Sequence, residues 1–272
     1  TIQEFFNHFF AIKAFNSLNK GSNIRILDDD EYTKKLEPIF RSKVTWYSKG
    51  YSVPGFKKNQ VSLNIDNDNN VFFLSQANKS YRDNYNQSFH TLFQRGIVTN
   101  QQCLELAKWY IENNLDKIKS AFSSRFNYLL LDEAQDTSIM QYSLLEGLTD
   151  NSEVNFQKFG DPYQALYSIY GDGNIDAWRP YNETQKGFQI EEIAETSRFG
   201  STIAAIVKDT CIEPYENFRS VGVVNSFNPN LIIFNSKEEL LEKYKKTIEH
   251  YENESYSFKE CKRKDVIVSD MH

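Results

Sequence analysis

The residues best suited to chemistry are the acids that close a short apolar run, Leu129-Leu130-Leu131-Asp132-Glu133-Ala134-Gln135-Asp136. In open α/β sheets, ligands bind beyond the carboxyl ends of the strands. Two adjacent carboxylates there can divide labour. One holds a hydrated Mg²⁺ while the next positions or deprotonates an attacking water. An acid pair alone also reads as a strand end that caps the following helix. Gln135 and Asp136 make the string more specific. Downstream, Phe159-Gly160-Asp161-Pro162-Tyr163-Gln164-Ala165-Leu166-Tyr167 supplies an amide and an aromatic, and Glu195-Thr196-Ser197-Arg198-Phe199 supplies a guanidinium. Each residue also has an ordinary reading. Gly160-Asp161-Pro162 is a common turn, Tyr167 a core or surface aromatic, and Arg198 a surface charge at a helix start.

These groups need strands that end together and helices that back them. Tyr128–Leu131 reads as a buried parallel strand, and 138–148 as the helix after it. Val154–Phe159 reads as a second strand and Phe188–Ile193 as a third candidate. A helix starts over 201–207, and Leu231–Phe234 is another strand candidate. Ser236 with Glu239 forms a capping box that opens a helix through Tyr251. Asp265–Ser269 closes with a strand. Strands alternating with helices mean an α/β sheet.

The earlier half has a different texture. Thr1–Leu18 is aromatic-rich and helical, with Phe5, Phe6, Phe9 and Phe10 near one face. Residues 21–50 are polar and irregular, and 50–55, with Pro54, read as loop. Val61–Ile65, turn residues at 66–70 and Val71–Leu74 spell a hairpin. Thr99 caps a helix running to about Phe122, with Leu104, Ala107, Ile111, Leu115 and Ile118 at helical spacing.

Composition bounds the answer. The 272 residues allow one large or two small domains. With 21 Phe and 16 Tyr there is ample apolar area to bury, so disorder is excluded as the dominant state. No run approaches the roughly 18 apolar residues of a membrane span. Cys103, Cys211 and Cys261 lie far apart, and His8, His90, His250 and His272 have no ligand spacing. That argues against a disulfide scaffold or a structural zinc and points to the cytoplasm. A net charge of −6 does not suit a protein that coats nucleic acid by bulk charge, but leaves room for a local groove.

Taken together and in order, the three elements resemble superfamily 1 helicases of the UvrD/Rep/PcrA type. Asp132-Glu133-Ala134-Gln135-Asp136 looks like their Walker B element. Phe159–Tyr167, with Gly171 after it, resembles their Gly-Asp-Pro-x-Gln-x-Ile-Tyr motif. Glu195–Phe199 resembles the motif that brings an arginine to the nucleotide. Thr1-Ile2-Gln3-Glu4-Phe5 is a weaker match to an upstream Thr-x-His-Ser-Phe segment.

The resemblance implies an ATP-dependent DNA helicase using ATP and Mg²⁺, moving 3′→5′ on single-stranded or partly duplex DNA. Asp132 would be the Mg²⁺ ligand, through water. Glu133 would orient the hydrolytic water. Gln164 would sense the γ-phosphate, and Arg198 would place a positive charge on it. Gln135, Asp136 and Asp161 would brace the nucleotide side. Tyr167 would stack on single-stranded bases, worth roughly 1–3 kcal/mol per base. Phe5 is a candidate strand contact, although its cluster reads first as a buried helix face.

The implied fold class is α/β. It comprises a RecA-like P-loop NTPase core with a parallel sheet, a mixed α+β insertion domain and the start of a second RecA-like domain. The expected boundaries are 1–22 and 126–213 for the first RecA-like domain, 23–125 for the insertion, and 214–272 for the second. Two departures stand out. Ser197 occupies the place of a Tyr that lies against the nucleotide base in the family. None of the 11 Gly residues is followed by Lys, so the phosphate loop is absent, as are the late motifs. The expectation is therefore a middle portion of a longer helicase that does not turn over ATP alone. The alternative is an interaction or sensing subunit with a nuclease partner, as in Gabija-type anti-phage pairs. The acidic balance, the unusual insertion and Ser197 lean that way.

Overall fold

The computed structural model describes residues 1–20, 23–44, 61–75, 79–164, 180–210, 217–222 and 230–254. The expected strand at 265–269, the loop at 50–55 and Tyr167 lie outside them. Contacts divide the chain into two units, Thr1–Phe188 and Gln189–His272.

The first unit opens with α1 (Ile2–Phe6), a π-helical turn (Asn7–Ala11) and α2 (Ile12–Leu18). The Thr1 hydroxyl caps α1 by accepting from the Glu4 amide. Phe6, Phe10, Ala11, Ala14 and Phe15 are buried on one stripe of this segment. Each fully buried Phe stabilises the fold by roughly 1.5–3 kcal/mol.

Then come β1 (Arg25–Leu27), α3 (Asp29–Lys43), β2 (Val61–Ile65), β3 (Val71–Ser75), α4 (Lys79–Gln94) and β4 (Ile97–Thr99). The stretch expected to be irregular thus contains a 15-residue helix. Asp28 caps it, accepting from the Asp30 and Glu31 amides. Acids fill its first turn and Arg41 and Lys43 its last, as the helix dipole favours. Tyr32, Leu36 and Phe40 face inward at four-residue spacing. The hairpin of β2 and β3 forms as expected, in antiparallel register from Val61↔Ser75 to Ile65↔Val71. Asp66 builds its turn by accepting from the Asp68 and Asn70 amides. Strands β1 and β4 pair in parallel.

The helix expected from Thr99 to Phe122 is two helices, α5 (Asn100–Asn113) and α6 (Leu115–Ser123). Asn114 breaks them, with φ −133° and ψ 23°. Thr99 and Gln102 form a full capping box at the start of α5. Core residues from the first helices, from residues 27–107 and from α5 join one cluster.

Strand β5 (Tyr128–Leu131) is followed by α7 (Ile139–Thr149), β6 (Asn155–Lys158) and α8 (Pro180–Gln185). Strands β5 and β6 pair in parallel, from Tyr128↔Asn155 to Leu131↔Lys158. Only one face of β5 is covered. Leu131 is buried, whereas Tyr128 and Leu130 are each 61% exposed. The expectation of a strand buried on both sides is corrected accordingly. Among the described residues, this sheet has two strands.

In the second unit β7 (Glu195–Thr196) pairs in parallel with β8 (Arg219–Ser220), with α9 (Ser201–Thr210) between them. Neither 188–193 nor 231–234 is a strand. Leu231 and Ile233 are exposed, with no neighbouring strand to bury them among the described residues. Helix α10 (Lys237–Asn253) begins at the Ser236 cap. The expected reciprocal arm shifts by one residue, because Glu239 accepts from the Asn235 amide instead. Among the described residues, no helix is long and apolar enough to cross a membrane.

Candidate functional site

Parallel pairing in register makes β5 and β6 end side by side. The chain leaving β5 carries Asp132 and Glu133. The chain leaving β6 carries Gly160 and Asp161. Two backbone bonds lock the exits together: the Phe159 amide donates to the Leu131 carbonyl at 2.7 Å, and the Ala134 amide to the Phe159 carbonyl at 2.8 Å.

Glu133 sits at φ 51°, ψ 47°, in the left-handed region. A non-glycine residue rarely adopts this conformation, which costs roughly 1–2 kcal/mol. The turn it makes sends the chain into a 3₁₀ turn at Ala134–Asp136, and α7 then starts at a capping box of Ser138 and Gln141.

Side chains complete the connection. Gln135 Nε2 donates to Glu133 Oε2 at 2.6 Å. Gln135 Oε1 accepts from the Asp161 amide at 3.1 Å. Gln164, on a 3₁₀ turn at Pro162–Gln164, donates from Nε2 to Asp161 Oδ2 at 2.8 Å. Glu133, Gln135, Asp161 and Gln164 therefore form one hydrogen-bonded line across the two strand ends. The arrangement joins four candidates of the first two motifs, with Asp132 adjacent to Glu133 in the chain.

Asp132 and Glu133 are exposed. Asp132 Oδ1 accepts from the Glu133 amide at 3.0 Å. Among the described residues, no group of three or more His, Cys, Asp or Glu side chains could hold a metal ion. The Asp132–Glu133 carboxylate pair suits Mg²⁺, which keeps several waters and uses one or two carboxylates plus substrate phosphates.

The other candidates lie elsewhere. Phe5 is half-buried among aromatics, edge-on to Phe6, Phe10 and Phe122 at 5.4–6.4 Å. Arg198 belongs to the second unit and is exposed on the turn after β7. Its amide donates to Thr196 Oγ1 at 3.3 Å, and Ser220 Oγ donates to the adjacent Phe199 carbonyl at 2.5 Å.

Two polar groupings were not anticipated from sequence. In the first, Gln141 Nε2 donates to Gln3 Oε1 at 3.1 Å. Gln3 in turn donates to Asn7 Oδ1 and the Asn100 carbonyl. The helix after Glu133 is thereby tied to α1 and α5. In the second, Lys158 on β6 is buried, its side chain 4% exposed, and donates to Tyr142, Glu146 and Glu183. Its ammonium lies 3.6 Å from the Phe188 ring centroid and 4.4 Å from that of Tyr142. Burial, and next the Glu183 carboxylate, push the Tyr142 hydroxyl well above the usual phenol range. The one available signal was Lys158 itself, a charge inside a strand.

A parallel strand pair whose ends present a carboxylate pair and an Asp-Gln turn belongs to a mixed α/β domain. The model of the UvrD/REP helicase N-terminal domain family matches residues 1–176, and the chain belongs to that family. The chain is 25% identical over 163 residues to the ATP-dependent DNA helicase Rep of Buchnera aphidicola subsp. Acyrthosiphon pisum, covering 58% of this chain and 25% of that protein. It is 27% identical over 165 residues to the ATP-dependent DNA helicase Rep of Buchnera aphidicola subsp. Schizaphis graminum, covering 58% and 24%. It is 24% identical over 172 residues to a probable DNA helicase II homolog of Mycoplasma capricolum, covering 63% and 22%. The chain thus spans a quarter or less of the length of these curated relatives.

Proposed function

We propose that this chain forms part of an ATP-dependent, single-strand-translocating DNA helicase. It would supply the water-orienting carboxylate and the γ-phosphate sensor. The observation that carries the reading is the hydrogen-bonded line from Glu133 through Gln135 and Asp161 to Gln164. A carboxylate suited to orienting water and an amide suited to registering phosphate follow the carboxyl ends of adjacent parallel strands, where ligands of open α/β sheets bind.

In this reading Mg²⁺ with ATP supplies the transferable phosphoryl group and the metal's charge. Asp132 holds the hydrated ion, and Glu133 holds the attacking water in line. Arg198 adds fixed positive charge to the γ-phosphate. Tyr167 stacks on a base of single-stranded DNA, and Phe5 is the weaker contact. Residues 1–22 and 126–213 make the first RecA-like domain, 23–125 its insertion, and 214–272 the start of a second. The 3′→5′ direction follows from the resemblance, and the cytoplasmic setting from the widely spaced cysteines.

The test uses the smallest protein carrying this chain that hydrolyses ATP. Glu133→Gln is expected to abolish DNA-stimulated hydrolysis while nucleotide binding persists. Unchanged turnover, or the absence of any ATP-hydrolysing form, defeats the reading.

A further inference from the structure

The Lys158 cluster sits at the end of β6 and is costly to build. Taking an ammonium and a carboxylate out of water is costly even after relaxation. Lys158 recovers much of this by donating to three acceptors: Tyr142 and Glu146 on α7, and Glu183 on α8. Glu183 is 2% exposed. Among the described residues its Oε1 accepts no hydrogen bond, and the Lys186 ammonium stands 3.7 Å away. Glu146 is shared, because Lys186 also donates to both of its oxygens at 2.9 and 3.0 Å. Tyr142, Phe156 and Phe188 wall the ammonium with their rings. An apolar set of similar volume would pack this region at less cost.

What the ion pair adds is a fixed point. Lys158 is the last residue of β6, opposite Leu131, the last residue of β5. Asp132 follows Leu131 directly, and Asp161 is three residues beyond Lys158. Glu183 lies 25 residues after Lys158. By sequence, the segment between them contains Asp161, Gln164 and Tyr167, the candidates for sensing phosphate and for stacking on a base. The Lys158–Glu183 contact ties the two described ends of this segment together.

We propose that the buried Lys158–Glu183 pair, braced by Tyr142 and Glu146, is the positioning device for the Asp161–Gln164 turn. It ties α8 to the end of β6 and holds that turn against Gln135 and Glu133. Lys158 and Glu183 are positioning residues and touch neither nucleotide nor DNA. The proposal rests on the function assigned above for its purpose, but its geometry can be tested without it.

The experiment is hydrogen exchange by mass spectrometry on this chain. In Glu183→Gln, amides in peptides covering 159–164 and 180–188 should exchange about ten-fold faster, while those covering 85–107 stay protected. Unchanged protection at 159–164, or a rise spread evenly over Thr1–Phe188, overturns the proposal. Should Glu183→Gln fail to fold, the double variant Lys158→Met with Glu183→Leu removes both charges and keeps the volume. It should fold and still lose protection at 159–164. Wild-type protection in the folded double variant overturns the proposal. Affinity for a fluorescent oligothymidine separates the two ideas. If Tyr167→Ala leaves that affinity unchanged while the selective exchange effect is present, the DNA role falls and the positioning device stands.

Discussion

Glu133 and Asp161 are joined through a single side chain. The amide of Gln135 donates to the carboxylate of one, and its carbonyl accepts from the backbone of the other. Removing that bridge leaves Glu133 free to rotate without touching the backbone that places it. Gln135→Leu is therefore expected to lower DNA-stimulated ATP hydrolysis by about 10–100-fold, the usual cost of losing an orienting neighbour. Steady-state turnover is the measurement, and an effect below about two-fold would remove Gln135 from the site.

Glu133 offers a way to separate backbone strain from chemistry. Its left-handed conformation suits glycine and penalises every other residue. Glu133→Gly and Glu133→Ala both delete the carboxylate and both should lack hydrolysis. Glu133→Gly should nevertheless be more stable than Glu133→Ala, by about 1 kcal/mol in denaturant unfolding. Equal stabilities would mean that the turn relaxes on substitution.

Glu105 predicts a pH effect remote from the site. Burial raises its carboxyl from 4.5 to about 6, opposed by the Leu63 amide, Gln101 and Lys108. The folded chain thus binds this proton more tightly than the unfolded chain. Its favourable contribution is complete below about 4.5 and is lost as pH rises through about 6. Glu105→Gln should flatten the stability profile across that window and raise stability at pH 7 by up to about 2 kcal/mol. Thermal midpoints taken in roughly unit steps from about pH 4 to 7 suffice, and an unaltered slope would reject the assignment.

Gln141 ties α7 to α1 while closing its own capping box. Gln141→Ala strands the Ser138 amide and the Gln3 side-chain oxygen Oε1. The expected loss is about 1–2 kcal/mol, read from chemical unfolding of the chain. A loss within about 0.5 kcal/mol, as for a surface residue, would show that water replaces both bonds.

The legible parts of the sequence were those in which one short pattern decides the structure. Thr99 before α5, the turn at Asp66, and Ser138 at the start of α7 each signal locally. The acids after Leu131 and the Gly-Asp-Pro turn were likewise readable, because a motif names them in order. Helix α3 was not, since its polar residues hide three buried positions, Tyr32, Leu36 and Phe40. Asn114 was not read as a break, because the apolar spacing runs straight through it. Apolar Leu231–Phe234 looked like a strand, yet a strand exists only where another backbone pairs with it. The Lys158 cluster depends on Glu183, 25 residues away, a pairing that no local pattern reports.

The inward charge of Lys158 has a further consequence. Parallel strands as short as β5 and β6 can pair in several shifts, and apolar residues tolerate many of them. A slip of one residue turns each side chain of β6 to the opposite face. Gln157 or Phe159 would then stand where Glu146 and Glu183 converge, and an ammonium would be left on the open face. The correct alignment is the one in which those carboxylates meet their cation. The cluster thus acts as a proofreader of strand alignment, disfavouring the one-residue slips that would carry Asp161 away from Glu133.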